Sequence, residues 1–180
     1  LSSLILWGPP GVGKTTIARL LADETDLSFV QISAIFSGVP ELRRVFETAK
    51  IRRQTGRDGK AAGTLLFVDE IHRFNKAQQD GFLPHMEDGT ILLVGATTEN
   101  PSFELNAALL SRAQVIVLER LGLADLERLA QRAEQEIGRA LPLKGEARET
   151  LLEMADGDGR ALINLIEQIA AWKVDDGPLD

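Results

Sequence analysis

The residues best suited to chemistry form a continuous run that is typical of a phosphate-binding loop. They are Gly8, Pro9, Pro10, Gly11, Val12, Gly13, Lys14 and Thr15, followed by Thr16. Glycines let the backbone curl so that its N–H groups point inward, at the positive end of the following helix, and cradle phosphate oxygens. Lys14 would reach the β- and γ-phosphates, and the Thr15 hydroxyl would hold Mg²⁺. The run predicts a nucleoside triphosphate site, the alternative being a glycine-rich turn with a surface lysine.

A second candidate element is a strand-like run that ends in two acids. Residues 64–68 are apolar and are followed by Asp69 and Glu70. Beside a phosphate loop, Asp69 is expected to orient Mg²⁺ through its water shell and Glu70 to polarise the attacking water. The alternative is that the two carboxylates only begin a loop. A glutamate as the second acid favours hydrolysis over transfer of the phosphoryl group to another substrate.

A third candidate element is the polar end of the next apolar run. Residues 91–96 are followed by Thr97, Thr98, Glu99 and Asn100. A hydroxyl or amide there could bind the γ-phosphate or position the water, although a pair of threonines in a turn is by itself a weak signal. Ligands of open parallel sheets bind outside the carboxyl ends of the strands, which is where these polar residues fall.

The elements that must position these residues alternate between strand and helix patterns. Apolar runs occupy residues 4–7, 29–32, 64–68, 91–96 and 114–118. Helical patterns lie between them at residues 14–23, 39–54 and 75–87, and Pro84 is expected to kink or divide the third. Near-continuous apolar character indicates strands buried on both faces of a parallel sheet. The predicted fold class is therefore α/β, a five-stranded parallel sheet with flanking helices.

The character of the sequence changes from Leu121, where strand-like runs stop. Apolar residues recur at helical spacing in residues 126–137 and again in 162–170, with a further helix expected at about 146–155. Glycine and proline in residues 138–145, and Gly157, end the first two of these helices. We predict an α/β domain over residues 1–119 and a small all-helical domain over residues 120–180.

Composition excludes several kinds of site. The chain has no cysteine, so disulfides and thiolate metal sites are excluded. His72 and His85 are the only two histidines, too few for a histidine-rich metal site, and each is interpreted as an ordinary surface or helix-lining imidazole. No apolar run approaches the roughly 20 residues that span a bilayer, so no membrane association is expected.

Charge argues against a uniformly basic nucleic-acid binder, because the net charge is −7. One segment nevertheless carries a basic surplus, opposed only by Glu47 and Asp58. The basic residues are Arg43, Arg44, Lys50, Arg52, Arg53, Arg57 and Lys60. This segment could track a phosphate backbone or could be a solvated helix face followed by a loop at residues 56–63, and the two interpretations carry equal weight.

Taken together, these motifs resemble the AAA+ ATPases and, within them, the clamp-loader-like group. The resemblance rests on residues 8–15, 69–70, 95–98, 111–112 and 157–160. Residues 67–80 and 95–103 are similar specifically to the RarA/MgsA family, which includes the Werner-helicase-interacting proteins of eukaryotes. The resemblance covers nearly the whole chain, and these two segments are far more specific than the phosphate loop.

The resemblance implies roles for three further residues. Thr98 matches sensor 1, which positions the attacking water. Arg112, on a short helix beginning near Asn106, matches the arginine finger that reaches the γ-phosphate of a neighbouring subunit. Arg160 matches sensor 2, which points from a helical lid domain to the nucleotide. Without the resemblance, Arg112 would be interpreted as a surface arginine and Arg160 as part of a free turn.

One position departs from the family pattern. The family more often has alanine where this chain has Gly159, next to Arg160. Because glycine is a poor helix former, this difference predicts a looser start to the last helix while leaving Arg160 intact.

The resemblance also implies cofactors and partners. These are ATP and Mg²⁺, single-stranded or forked DNA, single-strand-binding protein, and a homo-oligomer. A tetramer is expected through a C-terminal domain beyond residue 180, and adenine contacts are expected upstream of residue 1. The expected location is the cytoplasm, with nucleoid association in a bacterium.

We therefore expect a DNA-dependent ATPase of replication-fork maintenance and recombination. One alternative is another clamp-loader-like ATPase, either a sliding-clamp loader subunit or a branch-migration motor. The other is a nucleotide-gated DNA-binding scaffold with little hydrolysis, against which the presence of Glu70 and Arg112 speaks.

Overall fold

The computed structural model describes residues 2–56 and 63–171, which fall into two compact units. Of these residues, the first unit comprises 2–8, 14–56 and 63–118, and the second comprises 9–13 and 119–171. Arg57, Lys60 and the interior of the loop expected at residues 56–63 lie outside the described residues. Within them, no helix is both long and apolar enough to cross a membrane.

A parallel sheet of five strands forms the first unit, in the order β2-β3-β4-β1-β5. The strands are β1 Ser3–Trp7, β2 Ser28–Ser33, β3 Thr64–Asp69, β4 Ile91–Thr97 and β5 Ala113–Val117. Trp7 pairs with Thr97 on one side and Val117 on the other, and Ser33 pairs with Asp69. All carboxyl ends therefore lie at one edge of the sheet, and the predicted α/β fold class is confirmed.

Helices flank this sheet and follow the predicted segments closely. They are α1 Lys14–Glu24, α2 Val39–Thr55, the 3₁₀ helix Ile71–Arg73, α3 Lys76–Asp80, α4 Leu83–Glu87, α5 Pro101–Glu104 and α6 Ala107–Leu110. The third helical pattern is divided, as Pro84 predicts. Proline has no N–H to donate and is accommodated in the first turn of α4, where no intrahelical partner is needed.

Two apolar clusters cover the two faces of the sheet. One joins Ile5, Leu66 and Leu93 to Phe46 of α2. The other joins strand residues such as Leu6 and Phe67 to α1. Alternate side chains of the central strands β1, β3 and β4 thus enter opposite cores, which fixes the register of these strands and the height at which each one ends.

The prediction that all five apolar runs are buried on both faces is wrong for the two edge strands. In β5, Val115 and Val117 are 39% and 60% exposed, and β2 is only partly covered. These strands have a neighbour on one side only, and fewer helices cover them. Apolar character therefore identified the strands but not their place in the sheet.

The second unit contains the helices α7 Leu123–Ile137, α8 Gly145–Met154 and α9 Gly159–Ala170. They pack around buried Leu126, Leu152, Leu162 and Ile166. Gly138 ends α7 in the left-handed region, with φ +77°, where a side chain would be strained. The three helices agree with the predicted segments, while the assignment of this unit as a nucleotide lid stays a prediction.

A partly buried ion-pair network ties α7 to α8 in this unit. The Arg148 guanidinium donates to Glu127 at 2.8 Å and to Glu134 at 3.0 Å. Hydrogen bonds from Arg148 are the main cause that lowers the pKa of both carboxyls below their ordinary value. The two carboxylates in turn raise the pKa of Arg148. Because the glutamate pKa values are lowered by folding, the network stabilises the fold above their ordinary value and loses this contribution as the pH falls.

We expect Arg148→Met to lower the free energy of unfolding by about 1–2 kcal/mol at pH 7, since it leaves two partly buried carboxylates unpaired. The difference from the parent protein should vanish as the pH falls well below the ordinary glutamate value of 4.5, where both carboxyls become neutral. Urea unfolding at a series of pH values measures both effects. Arg128→Met is the control, because Arg128 is 75% exposed in its pair with Asp125. If the difference in free energy of unfolding between Arg148→Met and the parent did not change with pH, the role given to the network would be contradicted.

Candidate functional site

The sheet brings three of the predicted motif elements to the same edge of the first unit. The phosphate loop follows β1, Asp69 ends β3, and Thr97 ends β4, which lies between β1 and β3. Neighbouring strands lie about 4.8 Å apart, so the ends of β1 and β3 are separated by about 10 Å. That gap is wide enough for a phosphate group, and the end of β4 lies within it.

The phosphate loop has the backbone conformation that its glycines predict. Gly11 and Gly13 have φ values of +72° and +94°, in the left-handed region. A Cβ on Gly13 would meet no atom within 4 Å, so the loop is open at this position. The first turn of α1 follows at once, with its N–H groups available to an anion. The loop therefore fits the phosphates of a nucleotide.

Lys14 is buried at the start of α1, with 8% of its surface exposed. Its Nζ donates to the Gly8 carbonyl at 2.8 Å, so the side chain turns back to the beginning of the loop. A buried ammonium is stable only when its hydrogen bonds are satisfied, which fixes the position of this charge. Lys14 thus lies where a phosphate-neutralising lysine is expected.

Glu70 is held in an unusual backbone conformation immediately after β3. Its φ and ψ values are 53° and 43°, the left-handed region, and it precedes the 3₁₀ helix. This conformation costs on the order of 1 kcal/mol for a residue with a side chain, and such strain is concentrated at functional sites. The Glu70 side chain is 23% exposed, and its Oε2 lies 3.3 Å from His72 Nε2.

His72 is a residue at this edge that the sequence analysis did not place in the site, whereas Thr97 was among the polar residues that it named after the fourth apolar run. The His72 side chain is only 6% exposed, and its Nδ1 lies 2.9 Å from the Thr97 hydroxyl. The interpretation of His72 as an ordinary surface or helix-lining imidazole is therefore wrong. In the sequence, the position of His72 two residues after Glu70 was the feature that could have indicated a place in the site. Thr97 is fully buried, at 0% exposure, and two adjacent threonines in the sequence do not predict which of them is buried.

The remaining Mg²⁺ and sensor 1 candidates also lie on this edge. Thr15 is in the first turn of α1, and Asp69 is the last residue of β3. Both offer hard oxygen ligands, which Mg²⁺ prefers. Thr98 follows β4 directly, but it is Thr97 that carries the described side-chain hydrogen bonds. The roles of Thr15, Thr98 and the exposed Thr16 stay predictions.

Arg112 lies at the opposite edge of the sheet, between α6 and the first residue of β5. Its Nε and Nη2 both contact Glu87 Oε1 at 2.6 Å, and its Nη1 donates to the Ala108 carbonyl at 3.0 Å. A five-residue strand spans about 17 Å, so the guanidinium is well removed from the carboxyl edge of its own sheet. Arg112 thus lies away from the carboxyl edge of its own sheet, and its assignment as an arginine finger stays a prediction. The short helix begins after Asn106, as predicted, but it ends at Leu110, so Arg112 lies in the turn that follows the helix and not on it.

In the second unit, the apex of the phosphate loop packs against the turn that precedes α9. The Gly159 N–H donates to the Gly11 carbonyl at 3.1 Å. A Cβ on Gly11 would lie 1.7 Å from Asp158 Oδ1, and one on Gly159 would lie 2.9 Å from Leu129 Cδ2. Gly159 is thus a close-packing residue, and the looser helix start that its glycine predicts is wrong.

Arg160 is exposed in the first turn of α9. Asp158 caps this helix by accepting from the Ala161 N–H at 2.9 Å. The capped, closely packed turn fixes the backbone from which the Arg160 side chain extends. Its assignment as sensor 2 stays a prediction. Among the described residues, no three His, Asp or Glu side chains converge in the manner of a protein-only metal site.

Comparison with known proteins agrees with this geometry. The pattern of the ATPase family associated with various cellular activities (AAA) matches residues 4–121. The chain is 49% identical to the replication-associated recombination protein A of Escherichia coli K12 over 98% of this chain and 40% of that protein. It is 46% identical to ATPase WRNIP1 of Dictyostelium discoideum over 93% of this chain and 19% of that protein.

A similar solved structure is the RuvB Holliday junction branch migration motor of Thermotoga maritima. The TM-score is 0.74 at 28% identity, over 93% of this chain and 53% of that one. The resemblance to RarA, drawn above from residues 67–80 and 95–103, is confirmed by the relatives, as is the prediction of an ATPase. The chain spans about two fifths of the length of the bacterial relatives that it matches.

Proposed function

Because the chain belongs to the AAA family of ATPases, we propose that it binds ATP with Mg²⁺ and hydrolyses it in the service of DNA replication and recombination. One observation carries the proposal. The buried Lys14, the acids Asp69 and Glu70 and the end of β4 lie at a single edge of the sheet, where ligands of parallel sheets bind. The names of the relatives supply the biological setting.

The loop and Lys14 bind the phosphates. Backbone N–H groups of the loop and of the first turn of α1 donate to phosphate oxygens, while the Lys14 ammonium neutralises charge on the β- and γ-phosphates. Mg²⁺, held by Thr15 and through water by Asp69, would supply further neutralisation of the phosphate oxygens. Lys14 then exchanges its hydrogen bond with the Gly8 carbonyl for a phosphate oxygen.

Glu70 acts on the attacking water. Its carboxylate accepts a hydrogen bond from the water and orients the oxygen toward the γ-phosphorus, with Thr98 as a second contact. The new P–O bond forms as the bond from the γ-phosphorus to the bridging oxygen breaks, a proton of the water passes to the Glu70 carboxylate, and ADP and phosphate leave. The left-handed backbone conformation of Glu70, immediately after β3, supports this assignment because such strain is concentrated at functional sites.

Arg112 completes the site of a neighbouring copy. The described geometry places it at the sheet edge remote from its own loop, so its charge is useful only to another nucleotide. Hydrolysis would then require a homo-oligomer. A tetramer formed through a further domain, and single-strand-binding protein as a partner, come from the resemblance alone and are part of the proposal.

DNA is proposed as the macromolecular partner. On α2, Arg43, Arg44 and Lys50 are exposed, as both interpretations of the basic segment require, and we propose that they contact a phosphate backbone. Arg52 is instead committed to the Thr64 hydroxyl at 2.8 Å, and Arg53 pairs with Asp88. The surplus available to a partner is therefore smaller than the sequence alone indicates.

The proposal is tested by measuring ATP hydrolysis with and without single-stranded and forked DNA. We expect stimulation that weakens as salt is raised, because phosphate contacts release counterions. Arg43→Gln with Arg44→Gln should reduce the stimulation and leave the basal rate intact, whereas Arg128→Gln on α7 should change neither. A rate indifferent to DNA at every salt concentration would contradict the DNA assignment and favour a protein partner.

A second candidate function is suggested by the solved structure of a branch migration motor at TM-score 0.74. The same assay separates the two functions. A four-way junction that stimulates hydrolysis far more than forked or single-stranded DNA would favour the motor. Equal or greater stimulation by forked DNA would favour a role in fork maintenance.

A further inference from the structure

His72 is the most enclosed titratable side chain near Glu70, and both of its ring nitrogens have partners. Nε2 lies 3.3 Å from Glu70 Oε2, and Nδ1 lies 2.9 Å from Thr97 Oγ1. The ring therefore bridges the end of β3 and the end of β4. The mechanism above does not use this side chain.

One tautomer of the neutral ring satisfies both contacts. With its proton on Nε2, the imidazole carries its N–H on the nitrogen that lies 3.3 Å from the Glu70 carboxylate, and Nδ1 can accept the Thr97 hydroxyl proton. Thr97 Oγ1 also accepts from the Glu99 N–H at 3.0 Å and lies 3.1 Å from the Glu99 carbonyl, a second acceptor within reach of the hydroxyl proton. The Thr97 side chain is thus held in place, and the His72 ring lies between it and Glu70.

The contacts continue from Thr97 to the phosphate loop. The Thr97 carbonyl accepts from the Gly8 N–H at 3.1 Å, and the Gly8 carbonyl accepts from Lys14 Nζ at 2.8 Å. All of these groups belong to the first unit. A continuous set of contacts thus runs from Lys14, through the β4 terminus and His72, to Glu70, and its last step is the 3.3 Å approach of His72 Nε2 to Glu70 Oε2.

We propose that His72 is a positioning residue that fixes the Glu70 carboxylate relative to Thr97 and the start of the phosphate loop. This inference rests on the proposed function, in which Glu70 orients the attacking water. A glutamate in a strained backbone conformation has several side-chain rotamers, and the imidazole selects one of them. Because Thr97 immediately precedes Thr98, a displacement of that segment by a γ-phosphate would be transmitted to Glu70 through the ring.

Two amide substitutions separate the two contacts. Asparagine carries its amide at the position of Nδ1 and keeps only the Thr97 contact, whereas glutamine carries its amide near Nε2 and keeps the Glu70 contact. We expect His72→Asn to lower kcat about 10-fold, which is less than the loss expected when a well-placed general base is removed altogether. We expect His72→Gln to stay within about threefold of the parent, with the Kd for ATP nearly unchanged in both.

A purely structural role would give a different pattern. His72→Asn and His72→Gln would then lose activity in proportion to their loss of thermal stability, with no rescue by glutamine. That result, or full activity in both variants, would overturn the inference. Failure of the proposed function itself is distinguishable, because the parent protein would then show no hydrolysis that Lys14→Ala abolishes.

A spectroscopic test is independent of hydrolysis. The chain has two histidines, so the ring ¹⁵N signals of His72 can be assigned by comparison with His72→Asn. Glu70→Gln should shift the Nε2 signal, and Thr97→Val should shift the Nδ1 signal, each more than the other nitrogen. His85, which packs against Phe46, is the internal control. His72 signals that respond to neither substitution would overturn the proposal.

Discussion

Arg112→Ala is expected to lower kcat for ATP hydrolysis about 10³-fold or more, while nucleotide binding is retained. A guanidinium supplied to a γ-phosphate stabilises charge in the transition state rather than in the ground state, which is why its loss appears in kcat. The structure places Arg112 at the edge of the sheet remote from its own phosphate loop, so the affected site is a neighbour's. Any DNA stimulation should vanish together with the basal rate.

A mixing experiment tests the intermolecular role directly. Lys14→Ala protein should not hydrolyse ATP, but its subunits keep Arg112. Mixed oligomers of Lys14→Ala and Arg112→Ala should therefore recover part of the parent activity, although each variant alone is inactive. A hydrolysis rate of the mixture that never exceeds the sum of the rates of the two variants measured separately would contradict a finger that acts between subunits. An active Arg112→Ala protein would contradict it as well.

Glu87→Gln is the matched control for this prediction. Glu87 holds the Arg112 guanidinium within the same subunit at 2.6 Å, but both side chains are substantially exposed, at 54% and 40%. An exposed pair contributes little to stability, so its loss should not unfold the protein. Because glutamine at position 87 binds the Arg112 guanidinium less tightly than glutamate does, Arg112 is freer to reach a neighbouring site, and the rate of hydrolysis should stay the same or rise.

The parts of the fold that the sequence predicts are those governed by local pattern. Alternating apolar runs and helical segments located the strands and helices closely, because burial on both faces imposes continuous apolar character on β1, β3 and β4. Pro84 marked the division between α3 and α4, because proline cannot donate a backbone hydrogen bond. The loop glycines and Lys14 were likewise readable, since each satisfies a local requirement of phosphate binding.

The parts that escaped prediction depend on residues distant in sequence. Nothing local indicates that His72 meets Thr97, which lies 25 residues away, because that contact follows from the pairing of β3 with β4. The close approach of Gly11 to Asp158 and Gly159 is of the same kind. Glycine at position 159 suggests flexibility when seen locally, but its neighbours show that it allows tight packing.

Glu70→Gln is expected to lower kcat by about 10²–10⁴, the range for removal of a positioned general base, with the Kd for ATP little changed. The amide preserves the size of the side chain and can still contact the His72 ring, but it cannot accept the proton of the attacking water. The left-handed backbone of residue 70 belongs to both forms, so folding should be unaffected. Single-turnover hydrolysis beside equilibrium binding of a fluorescent ATP analogue separates the two effects.

Asp69→Asn sharpens the interpretation of this result. If Asp69 acts through Mg²⁺, the Asp69→Asn variant should recover activity as Mg²⁺ is raised, whereas the Glu70→Gln variant should not, because its defect lies in water activation. Unchanged turnover in Glu70→Gln would remove Glu70 from the mechanism. It would also leave the strained conformation at residue 70 and the enclosed His72 without a catalytic explanation. The proposed chemistry and the proposed role of His72 therefore both depend on this one carboxylate.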